Sequence, residues 1–357
     1  QLHEKYWPTF WCFGTHAQTA LANAIRGALP NLKYQREVIL MPDGGQVSLD
    51  WYDAPRLSPD RFSDSHRPIA LFMPGLTGDS NTEYIKSLIP NAHAVGYRYK
   101  RSEHCKFTKV NFHRVVAFNN RGRGGMKLLT PRLYCAANCD DVRYVLERIK
   151  TKHPKAQIVA IGVSLGGIVL CRYLTETGDK ALVDAAMLIS VAYDLVAGSE
   201  SMSRNGLNKA LNNHLARSLC TIVADQKEVL QPLKEIDYDE VLKSSTLRDF
   251  DERFTIKMWG FESSDHYYRE ASNKGKLNLI KRPTLCVSAA DDMFAPLYSL
   301  PIEEIEKSSH VGLVVTQKGG HIGFMEGFLP TLPFFSERLL KQYLSALIKL
   351  DDIKNNF

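Results

Sequence analysis

Much about this chain follows from what it does not contain. In 357 residues no stretch reaches the roughly 18–20 uninterrupted apolar residues of a membrane span. No cleavable leader pattern stands at its start either, and because the chain opens on Gln1 rather than Met an upstream segment is expected. No C-x-x-C pair occurs, and the seven cysteines, at 12, 105, 135, 139, 171, 220 and 286, are odd in number. That argues against a disulfide framework and against a structural zinc site, and it suits a reducing compartment. Cys135 and Cys139, four apart, fit one face of a helix. There is no N-x-S/T sequon, no phosphate-binding G-x-x-x-x-G-K-S/T, and no zinc-finger or RNA-binding signature. Charge of one sign is also scarce, since 45 basic against 39 acidic residues leave a net of only +6. The basic residues are spread out except in "GYRYKRSEHCKF" (96–107). That run could meet anionic headgroups or nucleic acid, but such runs are more often solvated loops, and nucleic acid is not expected as a partner.

What is present is a globular composition, 44% hydrophobic and 24% charged, in a chain long enough for a large core. "EVILMPDGGQVSLDWYD" reads as two strands around a Pro-Asp-Gly-Gly turn. Short apolar runs at 68–75, 114–120, 156–163, 184–193, 282–290 and 310–317 read as buried strands. Between them lie helical stretches at 82–93, at "NCDDVRYVLERIKTKHP", behind Ser164, and at the closing "FFSERLLKQYLSALIKL". Strands alternating with helices predict an α/β architecture with a mostly parallel sheet flanked by helices. We expect a single domain with its core at about 30–193 and 281–350 and an N-terminal segment at 1–30. The long stretch 194–280 has helical periodicity and no clear strand, and reads as a cap or lid over the sheet's C-terminal edge.

The candidate chemistry begins at "AIGVSLGGIVL". Gly162-Val163-Ser164-Leu165-Gly166 is a G-x-S-x-G, common by chance but here set between a buried strand and a helix. That setting would lift the Ser164 hydroxyl above the sheet as a nucleophile; an idle serine in a glycine turn is the plain alternative. A histidine should follow the last strand, and His321 does, in "TQKGGHIGFMEG". The acid should follow the strand before it, where Asp291 and Asp292 both stand in "SAADDMFAP". Asp292 is favoured because it precedes Pro296 by four positions, although a one-residue change of loop register would select Asp291. Two backbone N–H donors are needed for an oxyanion. Leu165 follows the nucleophile, and Leu76 lies in the loop "MPGLTGDS" after an early strand. "NNRGRGGMK" hints at dinucleotide binding, but Lys127 stands where the third glycine should be. Neither a cofactor nor a metal is expected.

Taken together, "MPGLTGDS", "FNNRGRGG", "GVSLGGI", "SAADDMFAP" and "GGHIGFMEG" resemble the AB hydrolase-4 family of α/β hydrolases. The blocks "KYWPTFWCF", "DGGQVSLDW", "LLTPRLYCAANCDD" and "FDERFTIKMWGF" resemble especially its phospholipase branch. The resemblance implies an α/β-hydrolase fold and a catalytic Ser164, Asp292 and His321. It implies a lipid esterase with phospholipids as substrates, cleaved in the phospholipase A manner. It also implies work at a membrane surface, with a single-pass anchor upstream of Gln1. An acyltransferase H-x(4)-D pattern is not matched, because His321 is followed by Ile-Gly-Phe-Met-Glu326. The residues leave two rivals open: a carboxylesterase or thioesterase on small or monoacyl esters, and a non-catalytic lipid-binding scaffold. The aromatic "YWPTFWCF" could rest on a membrane or pack against the sheet.

Overall fold

A computed structural model of the chain describes residues 5–12, 14–52, 68–99, 108–111, 114–204 and 206–354. In chain order the strands are β1 (Gln35–Leu40), β2 (Gln46–Tyr52), β3 (Ile69–Met73), β4 (Gly96–Tyr99), β5 (Thr108–Asn111), β6 (Arg114–Asn119), β7 (Ile158–Val163), β8 (Ala185–Ile189), β9 (Thr284–Ala289) and β10 (Val311–Thr316). Eight of them form one sheet in the order β1-β2-β6-β3-β7-β8-β9-β10. Only the contacts of β2, with β1 and β6, are antiparallel; from β6 to β10 the sheet is parallel.

The central strands are apolar throughout because helices cover both faces. Successive residues alternate between two cores. In β3, Ile69, Leu71 and Met73 face one core, while Ala70 and Phe72 face the other. Helices α3 (Asp140–Lys152) and α4 (Leu165–Thr177) bury Val145, Leu146, Leu170 and Leu174 in the first core. Helices α2 (Glu83–His93) and the closing Phe335–Lys354 bury Leu88, Ile89, Leu339 and Leu344 in the second. Asp140 and Asp141 open α3, where the positive end of the helix dipole favours them.

Between β8 and β9 the chain is helical: α5 (Leu195–Met202), α6 (Leu207–Asp225), α7 (Lys227–Leu230), α8 (Tyr238–Leu242), α9 (Leu247–Phe250), α10 (Ile256–Trp259) and α11 (Ser264–Ala271). Helices α6 to α9 and the turn after them share a core built around Leu219, Val223, Val241, Phe250 and Phe254, whereas Ile256 of α10 and Tyr267, Tyr268 and Ala271 of α11 join the first sheet core. Residues Asp251–Thr255 form a π-helical turn between α9 and α10. The short helix α12 (Ile302–Glu306) and the closing helix, α13, complete the chain.

Four features depart from expectation. The first four residues of the basic stretch, Gly96–Tyr99, pair antiparallel with Thr108–Asn111 just beyond it, rather than forming a loop. Residues 100–107 lie outside the described residues. Cys135 and Cys139 both precede α3 instead of sharing a helix face; Cys139 is its N-cap. The segment expected only as an N-terminal stretch at 1–30 contains a helix, α1 (Thr15–Gly27). The aromatic block before α1 does not pack on the sheet as a unit. Trp7 and Phe10 are 70% and 64% exposed, while Thr9 and Cys12 are buried. Among the described residues no helix is long and apolar enough to cross a membrane.

Candidate active site

Ser164 sits at the junction of β7 and α4 with φ 53° and ψ −120°, a left-handed conformation that costs energy for a residue with a Cβ. Two glycines make the turn feasible. A Cβ on Gly166 would lie 2.1 Å from the Met73 carbonyl oxygen, and one on Gly162 would lie 2.6 Å from the Gly167 Cα. The Ser164 N–H donates to the Ile189 carbonyl at 2.9 Å, which ties the turn to the neighbouring strand.

The loops after β9 and β10 bring two further groups to this turn. His321 Nε2 lies 2.9 Å from Ser164 Oγ, and Nδ1 lies 2.9 and 3.1 Å from the Asp292 carboxylate oxygens. With a carboxylate against Nδ1, that nitrogen carries the hydrogen and the Nε2 lone pair faces the serine hydroxyl. The Asp292 side chain is fully buried, and its Oδ1 also accepts the Phe294 N–H at 2.8 Å. The Phe294 ring lies 4.3 Å from the imidazole, centroid to centroid. Asp291 points elsewhere: its Oδ1 accepts the Gly320 N–H at 2.9 Å, and burial pushes its carboxyl above the ordinary carboxylate range.

Leu165 is the first residue of α4, so its N–H has no acceptor within the helix. Leu76 lies across from it in the loop after β3, which several side chains hold. Tyr84 Oη accepts the Gly75 N–H at 2.7 Å, Tyr134 donates to the Leu76 carbonyl, and Asn119 Oδ1 accepts the Ser80 N–H at 2.8 Å. Arg123 donates to the Thr77 carbonyl and lies 3.5 Å from Asp79. The glycine-arginine motif at 119–125 therefore serves to hold this loop. Sequence reasoning missed all of these supporting groups, which come from separate elements.

Ser164, His321, Leu76 and Leu165 line one cavity of about 620 Å³. Its apolar wall includes Ile168, Leu195, Met202, Leu215 and Leu219; its polar groups include Asp79, Arg123, His214, Arg248 and Asp251. Burial pushes the Asp251 carboxyl up to about 6, although Thr255 Oγ1 donates to it at 2.7 Å and the Tyr268 hydroxyl at 2.8 Å. Among the described residues no cluster of His, Cys, Asp and Glu could hold a metal ion.

In this aligned hydroxyl, imidazole and carboxylate the ring can take the hydroxyl proton while the carboxylate steadies the resulting cation, which leaves an oxygen ready to attack an acyl carbon. Chemistry of that kind on this sheet places the protein among the serine ester hydrolases. The chain belongs to the α/β-hydrolase fold family, whose model matches residues 71–328. It is 39% identical over 347 residues to Phospholipase ABHD3 of Bos taurus, covering 97% of this chain and 79% of that protein. It is 27% identical to Monoacylglycerol lipase of Saccharomyces cerevisiae, over 77% of this chain and 58% of that one. Among solved structures, the esterase Pf2001 of Pyrococcus furiosus superimposes with a TM-score of 0.52 at 17% identity. That match covers 89% of this chain and 90% of the esterase, and it speaks to the fold alone.

Proposed function

We propose that the protein hydrolyses carboxylic esters of lipids, phospholipids foremost, by phospholipase A-type cleavage. The observation that carries this reading is the continuous line Ser164–His321–Asp292, with contacts of 2.9 Å on either side of the ring, opening into a cavity with an apolar wall. The relatives named as a phospholipase and a monoacylglycerol lipase support a lipid substrate. Ser164 Oγ attacks the ester carbonyl as His321 Nε2 takes its proton. Asp292 holds the ring in the required tautomer and stabilises its cation. The Leu76 and Leu165 N–H groups receive the oxyanion, each worth roughly 3–4 kcal/mol in comparable sites. His321 then returns the proton to the departing alcohol oxygen, and the acyl group stays on Ser164. Water, deprotonated by the same imidazole, releases the fatty acid and restores the hydroxyl.

In this reading residues 194–280 serve as the cap that shields the acyl chain, through Met202, Leu215 and Leu219. The enzyme would work at a membrane surface. Supporting that, Trp7, Phe10, Trp11, Phe328 and Leu329 are exposed, and the Phe10 and Phe328 rings lie 5.7 Å apart. Aromatic residues of this kind favour the boundary between lipid and water.

A fluorophosphonate probe tests the nucleophile. Wild type should be labelled and Ser164→Ala should not; an unlabelled, folded wild type would end the serine-hydrolase mechanism. A panel of esters graded from short water-soluble acyl groups to phospholipid vesicles tests the substrate. Activity confined to the short esters would replace the lipid reading with a small-ester carboxylesterase.

A further inference from the structure

The line of three groups does not explain how the imidazole is aimed. His321 sits in a loop with glycines at 319, 320, 323 and 327, which leave the backbone many conformations. Three successive N–H groups of this loop end on side-chain oxygens from three distant parts of the chain. Gly320 donates to Asp291 at 2.9 Å, His321 to Thr19 Oγ1 at 2.9 Å, and Ile322 to Ser190 Oγ at 3.1 Å. The Ile322 carbonyl in turn accepts from Arg26 Nη1 at 2.7 Å.

Two of these four partners, Thr19 and Arg26, belong to α1. The Thr19 hydroxyl donates to the Thr15 carbonyl at 2.9 Å, so its hydrogen is committed and a lone pair is left for the His321 N–H. Arg26 is fully buried, paired with the equally buried Glu337 at 2.8 Å, and also donates to Ser336 Oγ. The helix is pressed close: a Cβ on Gly320 would lie 2.5 Å from the Thr15 carbonyl oxygen. Further along, Gln18 Oε1 accepts the Met325 N–H at 3.2 Å and the Trp7 carbonyl accepts the Gly327 N–H at 3.0 Å.

We propose that Thr19 and Arg26 are positioning residues, through which α1 holds the His321 backbone where its ring meets both Asp292 and Ser164. This rests on the triad reading under Proposed function. The physical reason is that hydrogen bonds flank the histidine on both sides, to its own N–H and to the carbonyl of the next residue. Apolar packing alone would not set the direction of that backbone. A displacement of about 1 Å at reacting groups can cost on the order of 100-fold in rate.

The test is Thr19→Val, which keeps the shape and removes the acceptor, leaving the His321 N–H without its partner. Active sites are counted by complete fluorophosphonate titration, and turnover of a chromogenic acyl ester is expressed per titrated site. We expect kcat per site to fall by about 10- to 100-fold with KM within about twofold, and Thr19→Ser to restore most of it. Wild-type turnover per site in Thr19→Val, with only fewer sites or a lower Tm, would reduce α1 to a packing element and overturn the proposal. So would an equal loss in Thr19→Ser. Ser164→Ala, run alongside, keeps the two readings apart. Labelling that survives Ser164→Ala sinks the triad; labelling lost there, with Thr19→Val unimpaired per site, sinks only the positioning role. Should Thr19→Val fail to fold, Arg26→Lys retains a cation for Glu337 but gives up the fork that reaches Ile322. The same fall per site is expected, and full turnover per site again overturns the proposal.

Discussion

The serine turn and the histidine loop meet within hydrogen-bonding distance, yet they are built in opposite ways. The serine turn is local. Its shape comes from residues 162–167, from two glycines with no room for a Cβ, and from the strand and helix on either side. The histidine loop is held from afar. Asp291 lies 29 residues from its partner in the loop, Ser190 132, and Thr19 and Arg26 302 and 296. Steric exclusion around two glycines dominates the first, with one backbone bond to Ile189; a set of single hydrogen bonds from distant side chains dominates the second. The first should therefore break all at once, and the second by degrees.

The largest effect expected on activity is at Asp292. Asp292→Asn should lower kcat/KM by about 10⁴-fold, because an amide on Nδ1 favours the wrong tautomer. Asp291→Asn, which only loosens the contact to Gly320, should cost less than about tenfold. Steady-state kinetics on both variants checks this, and similar losses would mean the two carboxylates share the role. Gly166→Ala strikes the serine turn. A Cβ 2.1 Å from a backbone oxygen cannot be relieved by rotating a side chain, so a loss upwards of about 4 kcal/mol is expected. Denaturant titration reads it, and a well-folded Gly166→Ala would show the turn to be less constrained than its geometry implies.

Arg26→Met strikes the histidine loop from outside and leaves the buried Glu337 without its cation, with only the Ser336 hydroxyl still donating to it. A loss of about 3–5 kcal/mol is expected, as for other buried pairs broken on one side. A change of under about 1 kcal/mol would mean that this pair contributes little to holding the loop.

The smallest effect belongs to a group outside both regions. Burial raises the Asp251 carboxyl from its ordinary 3.8 to about 6, so the folded state holds this proton more tightly than the unfolded chain does. Its contribution therefore makes stability fall as pH rises from about 4 to about 6, with little further change above. At neutral pH the cost is at most about 3 kcal/mol. Asp251→Asn should recover part of it at pH 7 and none at pH 3.5. Thermal melts of both proteins across that window check the sign, and a variant that loses more at pH 7 than at pH 3.5 would refute it.

The six parallel strands were legible as short apolar runs, as strands covered by helices must be, and β1 and β2 were legible from the Pro-Asp-Gly-Gly turn between them. Ser164 was legible because its turn is written in adjacent residues. The order of loops after successive strands brought His321 and the Asp291–Asp292 pair into view. Spacing to Pro296 favoured Asp292 over Asp291 without settling it, since one residue of loop register would exchange them; in the structure it is Asp292 that meets the imidazole. The hairpin Gly96–Tyr99 with Thr108–Asn111 was hidden in and beside a charged stretch that lacks the usual apolar alternation. Helix α1 was hidden as well. Its segment, "THAQTALANAIRG", packs Leu21, Ala22 and Ile25 but buries Gln18 and Arg26 beside them, so polar residues interrupt the face it turns inward.

By itself, then, the sequence determined the sheet, the strained serine turn and the chain order of Ser164, Asp292 and His321. Each of these is set by sterics or burial acting over a few neighbouring residues. Only the tertiary structure decided which aspartate turns to His321, what supports the Leu76 loop, and that a helix near the start of the chain grips a loop near its end. Those outcomes depend on hydrogen bonds between polar groups up to about 300 residues apart. A polar side chain carries no mark of its partner until the backbone has brought the two together.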